Sequence, residues 1–250
     1  RGLEGLELAV DDELAGEGYW LEGRRDGKKR VLNTDGLGDR PLSPSGDDVL
    51  VTIDLGIQQA AEEELARAVS TSGARGGTAV VLAPATGDVL ALAVVPTFNP
   101  NDDERVDAAR WRNRVVTDLY EPGSTIKPFT AAAALEEGLV AEATPIDCHH
   151  GAWKFADHVI HDHSPHDTIS FADVIRVSSN IGVAQVGLAL GAERLVATLA
   201  GFGFGAQSGI GLPGEARGVL YAAARIRPIQ VANVAFGHGL RVRPVQLAAA

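Results

Sequence analysis

Ser124 and Lys127 stand three residues apart in Tyr120-Glu121-Pro122-Gly123-Ser124-Thr125-Ile126-Lys127-Pro128, a hydroxyl and an amine at the spacing of one helical turn. Residues three apart on a helix are surface neighbours, with Cβ atoms about 5–6 Å from each other. Serine attacks a carbonyl only when a base takes its proton, and a neutral lysine is such a base. Alone the tetrapeptide is a weak signal, because Ser-x-x-Lys also describes a helix start marked by Pro122-Gly123, with its lysine in water. Fifty-odd residues on, Arg176-Val177-Ser178-Ser179-Asn180-Ile181-Gly182 lies between two apolar helical patterns. It adds a hydroxyl, Ser178, that can pass a proton, and a carboxamide, Asn180, that can hold a peptide amide by both a donor and an acceptor.

With these two elements the chain resembles the penicillin-binding proteins, serine acyltransferases that share Ser-x-x-Lys, Ser-x-Asn and Lys-Thr-Gly motifs with serine β-lactamases. The flanks narrow the resemblance. The Ala79 to Ala93 hairpin, Phe98-Asn99-Pro100-Asn101, and Phe236-Gly237-His238-Gly239-Leu240 before Pro244-Val245-Gln246-Leu247 all look like the class B group. These are the monofunctional peptidoglycan transpeptidases of division and elongation, and the likeness runs from about Gly2 to Ala250.

The resemblance implies an α+β fold with helices packed on an antiparallel sheet. It implies a D,D-transpeptidase that cross-links peptidoglycan stem peptides through a Ser124 acyl-enzyme, in cell wall synthesis and division. Lys127 is then the acylation base, Ser178 the relay to the leaving amine and Asn180 a substrate-binding residue; no cofactor and no metal are expected. The partners implied are stem peptides, β-lactam antibiotics and other cell-wall or division proteins. An N-terminal anchor upstream of Arg1 would hold the protein in the bacterial inner membrane, with this part facing the periplasm or cell exterior. The family's Lys-Thr-Gly strand lies downstream of Pro244-Val245-Gln246-Leu247, and the sequence stops at Ala250. Ala85-Thr86-Gly87 precedes Ser124, lacks a cation and reads as a hairpin turn. We therefore expect residues 1–45 to end a non-catalytic pedestal domain with its linker, and residues 46–250 to be part of a transpeptidase domain whose catalytic strand is not included. On that reading the transpeptidase activity is expected of the parent protein, which includes that strand.

The chemistry sets a quantitative demand. Bringing a lysine from an unperturbed pKa of ~10.4 to ~7 takes roughly 4.6 kcal/mol of differential stabilisation. Burial and a nearby cation both push that way, and Ile126 and Phe129 are apolar neighbours of Lys127. A serine at a helix start also places the first-turn amides, its own included, where an oxyanion would form.

Composition supports a globular chain: 45% apolar residues over 250 positions suffice for a core. A net charge of −11 argues against a grip on nucleic acid. The basic run from Arg24 to Arg30 is short, broken by Asp26 and Gly27, and reads as a solvated turn. A single cysteine, Cys148, excludes an internal disulfide framework and reads as a buried structural thiol. No apolar run approaches the ~20 residues that span a bilayer.

The Gly-, Asp-, Pro- and Ser-rich stretch from Asn33 to Asp48 marks a boundary. After it we expect a strand at Val49-Leu50-Val51-Thr52-Ile53, a helix capped by Asp54 over Leu55 to Val69, and a hairpin of Thr78 to Leu82 with Val89 to Val95. Helices are expected from Ser124 to Glu137, from Ser170, and over Asn180 to Leu190, Ala192 to Ala200 and Pro228 to Phe236.

Rival readings are weaker. A class A β-lactamase needs an extra Glu to drive water, and no Glu-x-x-Leu-Asn follows Ser178-Ser179-Asn180. A β-lactam sensor would keep the same nucleophile and lysine. A non-catalytic scaffold of the cell-wall assembly complex would have no use for them, and intact Ser124, Lys127, Ser178 and Asn180 speak against it. The histidines from His149 to His166 raise a zinc or nickel site, but His161-Asp162-His163 cannot by itself form a tetrahedral one. A triad through His238 lacks a Gly-x-Ser-x-Gly elbow. The glycines from Gly201 to Gly214 follow a helical pattern, so they read as a loop and not as a dinucleotide fingerprint.

Overall fold

Two apolar runs separated by Ala83-Pro84-Ala85-Thr86-Gly87-Asp88 pair as an antiparallel hairpin, β1 (Gly77–Leu82) and β2 (Val89–Val95), with Thr78 opposite Val94 and Val80 opposite Leu92. Gly87, at φ +79°, closes the turn, where Ala83 N–H donates to Asp88 O at 2.9 Å. The structure, a computed structural model, describes residues 2–16, 24–28, 31–33, 46–99 and 108–250. Pro100-Asn101, the Lys29-Arg30 end of the basic run and most of the Asn33 to Asp48 boundary lie outside the described residues.

Helix α1 (Leu55–Ser72) begins where the Asp54 carboxylate accepts Ile57 N–H at 3.0 Å, and it ends at Gly73 in the left-handed region. The Gln58 carboxamide locks α1 to the hairpin, donating to Leu92 O at 3.1 Å and accepting Leu92 N–H at 2.8 Å. A second apolar cluster joins Val80, Leu92 and Val94 of the hairpin to Val115, Val116, Val245, Ile210 and Leu212.

Residues 49–53 do not form the expected strand. Thr52 Oγ1 donates to Val89 O at 2.7 Å, and Asp54, the residue that follows the segment, donates its N–H to Leu90 O at 2.9 Å, both at the start of β2. Leu50 is 99% exposed. Val, Ile and Thr favour strands because they pack well on a half-buried pleated surface, and among the described residues no strand forms a backbone ladder with this segment.

Six further helices build the main core: α2 (Lys127–Glu136), α3 (Phe171–Arg176), α4 (Asn180–Leu190), α5 (Ala192–Gly201), α6 (Pro228–Ala235) and α7 (Pro244–Ala249). Helix α4 is apolar on nearly every side, as a central helix must be; Ile181, Val183, Ala184, Val186 and Leu190 are all buried. Gly187 admits α6, because a Cβ there would lie 2.4 Å from that of Ala235. The Thr130 hydroxyl of α2, fully buried, donates to Ala235 O at 2.9 Å. Thr130→Val keeps the shape and orphans that carbonyl, so it should cost roughly 1–3 kcal/mol in urea unfolding. Unchanged stability would show that the carbonyl finds another donor.

A short antiparallel ribbon, β3 (Ala152–Phe155) and β4 (His158–His161), lies against this helical core through Trp153 and Ile160. The architecture is α+β, with helices on an antiparallel sheet and a helical half beside it. Among the described residues no single helix is long and apolar enough to cross a membrane.

Candidate functional site

Helical structure around Ser124 starts differently from the expectation. Gly123–Ile126 is a 3₁₀ turn, and the α-helix begins only at Lys127. Side chains at i and i+3 eclipse in a 3₁₀ turn, so Ser124 is brought into line with Lys127 more directly than an α-helix would bring it. Ser124 is exposed while Ile126 is fully buried, anchoring the turn.

The turn rests on the chain around Gly237. Gly123 N–H donates to Gly237 O at 3.0 Å, Gly239 N–H donates to Glu121 Oε1 at 2.9 Å, and Tyr120 and Val242 exchange both backbone hydrogen bonds. Gly237 sits at φ +90°, and a Cβ on it would come within 1.8 Å of Gly123 O, so the residue must be glycine. It is the backbone of Gly237 and Gly239, on either side of His238, that holds the turn.

Lys127 is 2% exposed, and its ammonium makes three hydrogen bonds: to Ser178 O at 2.5 Å, Ser178 Oγ at 2.9 Å and Asn180 Oδ1 at 2.8 Å. An ammonium has three donors and no acceptor, so this arrangement uses all three. A neutral amine would keep two and free a lone pair. Burial lowers the Lys127 pKa to about 8, with the Asp162 charge pulling the other way. No cation is needed among these residues for that much activation.

Ser178 owes its position to the end of α3. Ser178 N–H donates to Ile175 O and Ser179 N–H to Val174 O, at 3.1 and 2.9 Å, the paired bonds of a Schellman motif. Glycine usually fills the left-handed position of that motif, yet Ser178 is there at φ +60°. A left-handed non-glycine residue costs roughly 1–2 kcal/mol, and such strain collects at functional sites. Ser179 then caps α4, its hydroxyl accepting Gly182 N–H at 2.9 Å. Of the four residues singled out in the sequence, three are joined directly, Lys127 to Ser178 and to Asn180, and Ser124 stands one 3₁₀ turn from Lys127 on the same segment.

Sequence reasoning missed the supports. Asp162 accepts the Ser179 hydroxyl at 2.6 Å and Ile181 N–H at 3.0 Å, and Asn180 Nδ2 donates to His161 O at 2.9 Å. His-Asp was visible in the sequence only as a possible metal pair, and nothing local marked its link to a turn 17 residues on. Among the described residues, no three or more His, Cys, Asp or Glu side chains are grouped so as to hold a metal. His149 instead stacks on Trp153 with ring centroids 5.7 Å apart, and His150 Nδ1 lies 3.1 Å from Asp167. Cys148 is fully buried with Sγ 3.4 Å from Ser179 Oγ, and burial pushes its thiol pKa up, opposite to what a nucleophile needs.

Comparison with known proteins gives the family. Residues 77–250 match the family described as the penicillin binding protein transpeptidase domain. The chain is 35% identical over 250 residues to the "Probable peptidoglycan D,D-transpeptidase PenA" of Neisseria gonorrhoeae, covering all of this chain and 43% of that protein. It is 34% identical over 248 residues to the "Peptidoglycan D,D-transpeptidase FtsI" of Escherichia coli K12, covering 99% of this chain and 41% of that one. Among solved structures, the transpeptidase domain of Burkholderia pseudomallei penicillin-binding protein 3 aligns with a TM-score of 0.71 and 34% identity, over 79% of this chain and 55% of the other. The chain spans less than half the length of these curated relatives.

Proposed function

Because this chain belongs to the penicillin-binding protein transpeptidase family, we propose that it carries the nucleophile and base of a class B peptidoglycan D,D-transpeptidase that works in cell wall synthesis at division. One observation supports this most: the buried Lys127 amine bonded to Ser178 and Asn180, one 3₁₀ turn from an exposed Ser124. Neutral Lys127 takes the Ser124 proton as Oγ attacks the carbonyl carbon of the penultimate D-Ala of a stem peptide. The tetrahedral oxyanion collapses, the peptide C–N bond breaks, and the terminal D-Ala leaves with a proton passed from Lys127 through Ser178. An amine from a neighbouring strand then attacks the acyl-enzyme, and the same groups run in reverse. Asn180 holds the stem-peptide amide. β-Lactams present a strained amide to the same oxygen and stay attached to it.

The substrate lies outside the cytoplasm, so we place this segment on the periplasmic or outer side of the cell membrane, held by an anchor elsewhere in the protein and alongside other wall-synthesis proteins. The test is intact mass after incubating the full-length protein with benzylpenicillin, followed by proteolysis to locate the adduct. An adduct on the peptide containing Ser124 is the expected result. A folded protein that takes up none, or takes it up elsewhere, overturns the reading.

A further inference from the structure

The turn that carries Ser178 and Asn180 is held from outside by one carboxylate at the end of β4. Asp162 reaches it with both oxygens, one on the Ser179 hydroxyl at 2.6 Å and the other on Ile181 N–H at 3.0 Å. Ser179 is the cap of α4 and Ile181 lies in its first turn, where a negative charge is favoured by the free amides. An ionised carboxylate accepts only, and charge-assisted bonds of this length are the strong ones. The neighbouring His161 carbonyl takes Asn180 Nδ2 at 2.9 Å, so the end of β4 grips three consecutive residues, Ser179 to Ile181.

We propose that Asp162 is a positioning residue for acyl transfer at Ser124: its carboxylate sets the turn that presents Ser178 and Asn180 to Lys127. The proposal rests on the function assigned above. Ser178 has its strained, left-handed backbone at the point where two helices meet, and Lys127 uses its carbonyl, its hydroxyl and the side chain of Asn180 together. Without an outside hold, the turn relaxes and these acceptors separate.

The same carboxylate acts on Lys127 by its charge. Asp162 raises the Lys127 pKa while burial lowers it. Among the described residues Asp162 is the charge that acts on Lys127: α4 carries none, the next charge along α2 is Glu136, and Arg176 and Asp173 of α3 pair with each other at 2.9 Å. The Cys148 thiol feels the charge of Asp162 and also that of Asp147, and His161 and His163 flank Asp162 in the chain. Asp162 thus fixes the relay and at the same time favours the ammonium form of the resting base.

The experiment titrates Lys127 in full-length protein labelled with [¹³Cε]lysine, the resonance assigned by its loss in Lys127→Arg. It compares wild type, Asp162→Asn and Asp162→Ala, and adds benzylpenicillin acylation and thermal unfolding. Both variants should lower the Lys127 midpoint by about one unit. Asp162→Ala should lower the acylation rate constant at least tenfold with little change in the binding constant. Asp162→Asn, which can still accept Ile181 N–H, should recover much of that rate with its lower pH limb moved down. A residue with a merely structural role would lower the unfolding temperature and leave the Lys127 midpoint in place, which would overturn the proposal. Unchanged acylation in Asp162→Ala would do the same. If wild type itself takes no penicillin, the assigned function fails, and the Lys127 titration still judges the link to Asp162.

Discussion

Lys127→Ala should slow acylation of Ser124 by benzylpenicillin about 10²–10⁴-fold, the usual contribution of a positioned general base. Burial is what makes the lysine a base. Lys127 is 2% exposed, and its pKa is lowered to about 8, so close to one molecule in ten carries the neutral amine at pH 7 and most carry it at pH 9. Only the neutral amine accepts the serine proton, so the rate should climb with pH and level off above about 8. Lys127→Arg should fall as far as Lys127→Ala, since a guanidinium is not deprotonated in proteins and supplies no base. Stopped-flow acylation between pH 6 and pH 10 checks all three statements. A flat profile would remove Lys127 from the role of base, as would an arginine variant that reacts at the wild-type rate.

Local sequence carried much of this site, and the reason is physical. Ser124 and Lys127 are close in sequence, so one turn of helix brings them together whatever surrounds it. The Asp54 and Ser170 caps were legible for the same reason, each side chain accepting an amide three residues on. What needed tertiary contact was not legible. Val49 to Ile53 has the composition of a strand, but composition does not state whether a neighbour exists to pair with. Gly123–Ile126 tightens to a 3₁₀ turn where its amide is captured by Gly237, over a hundred residues away. Ser178 in a left-handed position breaks the local rule that would place glycine there, and the compensation comes from Lys127 and Asp162, neither of them adjacent. Where local preference and observed backbone disagree, the site is what they disagree over.

Glu215→Ala should destabilise the protein by roughly 3–5 kcal/mol, or roughly 6–20 °C in Tm, because it leaves a buried guanidinium without its counter-charge. Arg243 is fully buried and Glu215 is 8% exposed at its side chain. Arg243 pairs with Glu215 and donates to Ala206 O at 2.7 Å, while Glu215 also accepts Ser208 N–H at 2.7 Å and the Ser208 hydroxyl at 2.5 Å. This network fixes the loop that carries Ile210 and Leu212 onto the β-hairpin, and so joins the helical half to the sheet half. Gly209, Gly211 and Gly214, all at positive φ, give the loop no stiffness of its own. Burial pushes the Glu215 carboxyl up, but hydrogen bonds from Ser208 and Arg243 outweigh it and hold it below the ordinary range. A carboxylate with a depressed folded-state pKa contributes stability above its unfolded value of ~4.3 and loses it as pH falls through the folded value. Wild type should therefore lose stability below about pH 4 more steeply than Glu215→Gln. Replacing both partners, Glu215→Gln with Arg243→Met, should restore much of what either single change removes, since the penalty comes from the charge left unpaired. Additive losses in that cycle, measured by urea unfolding, would mean that the two side chains act independently and that the loop is held by its apolar contacts alone.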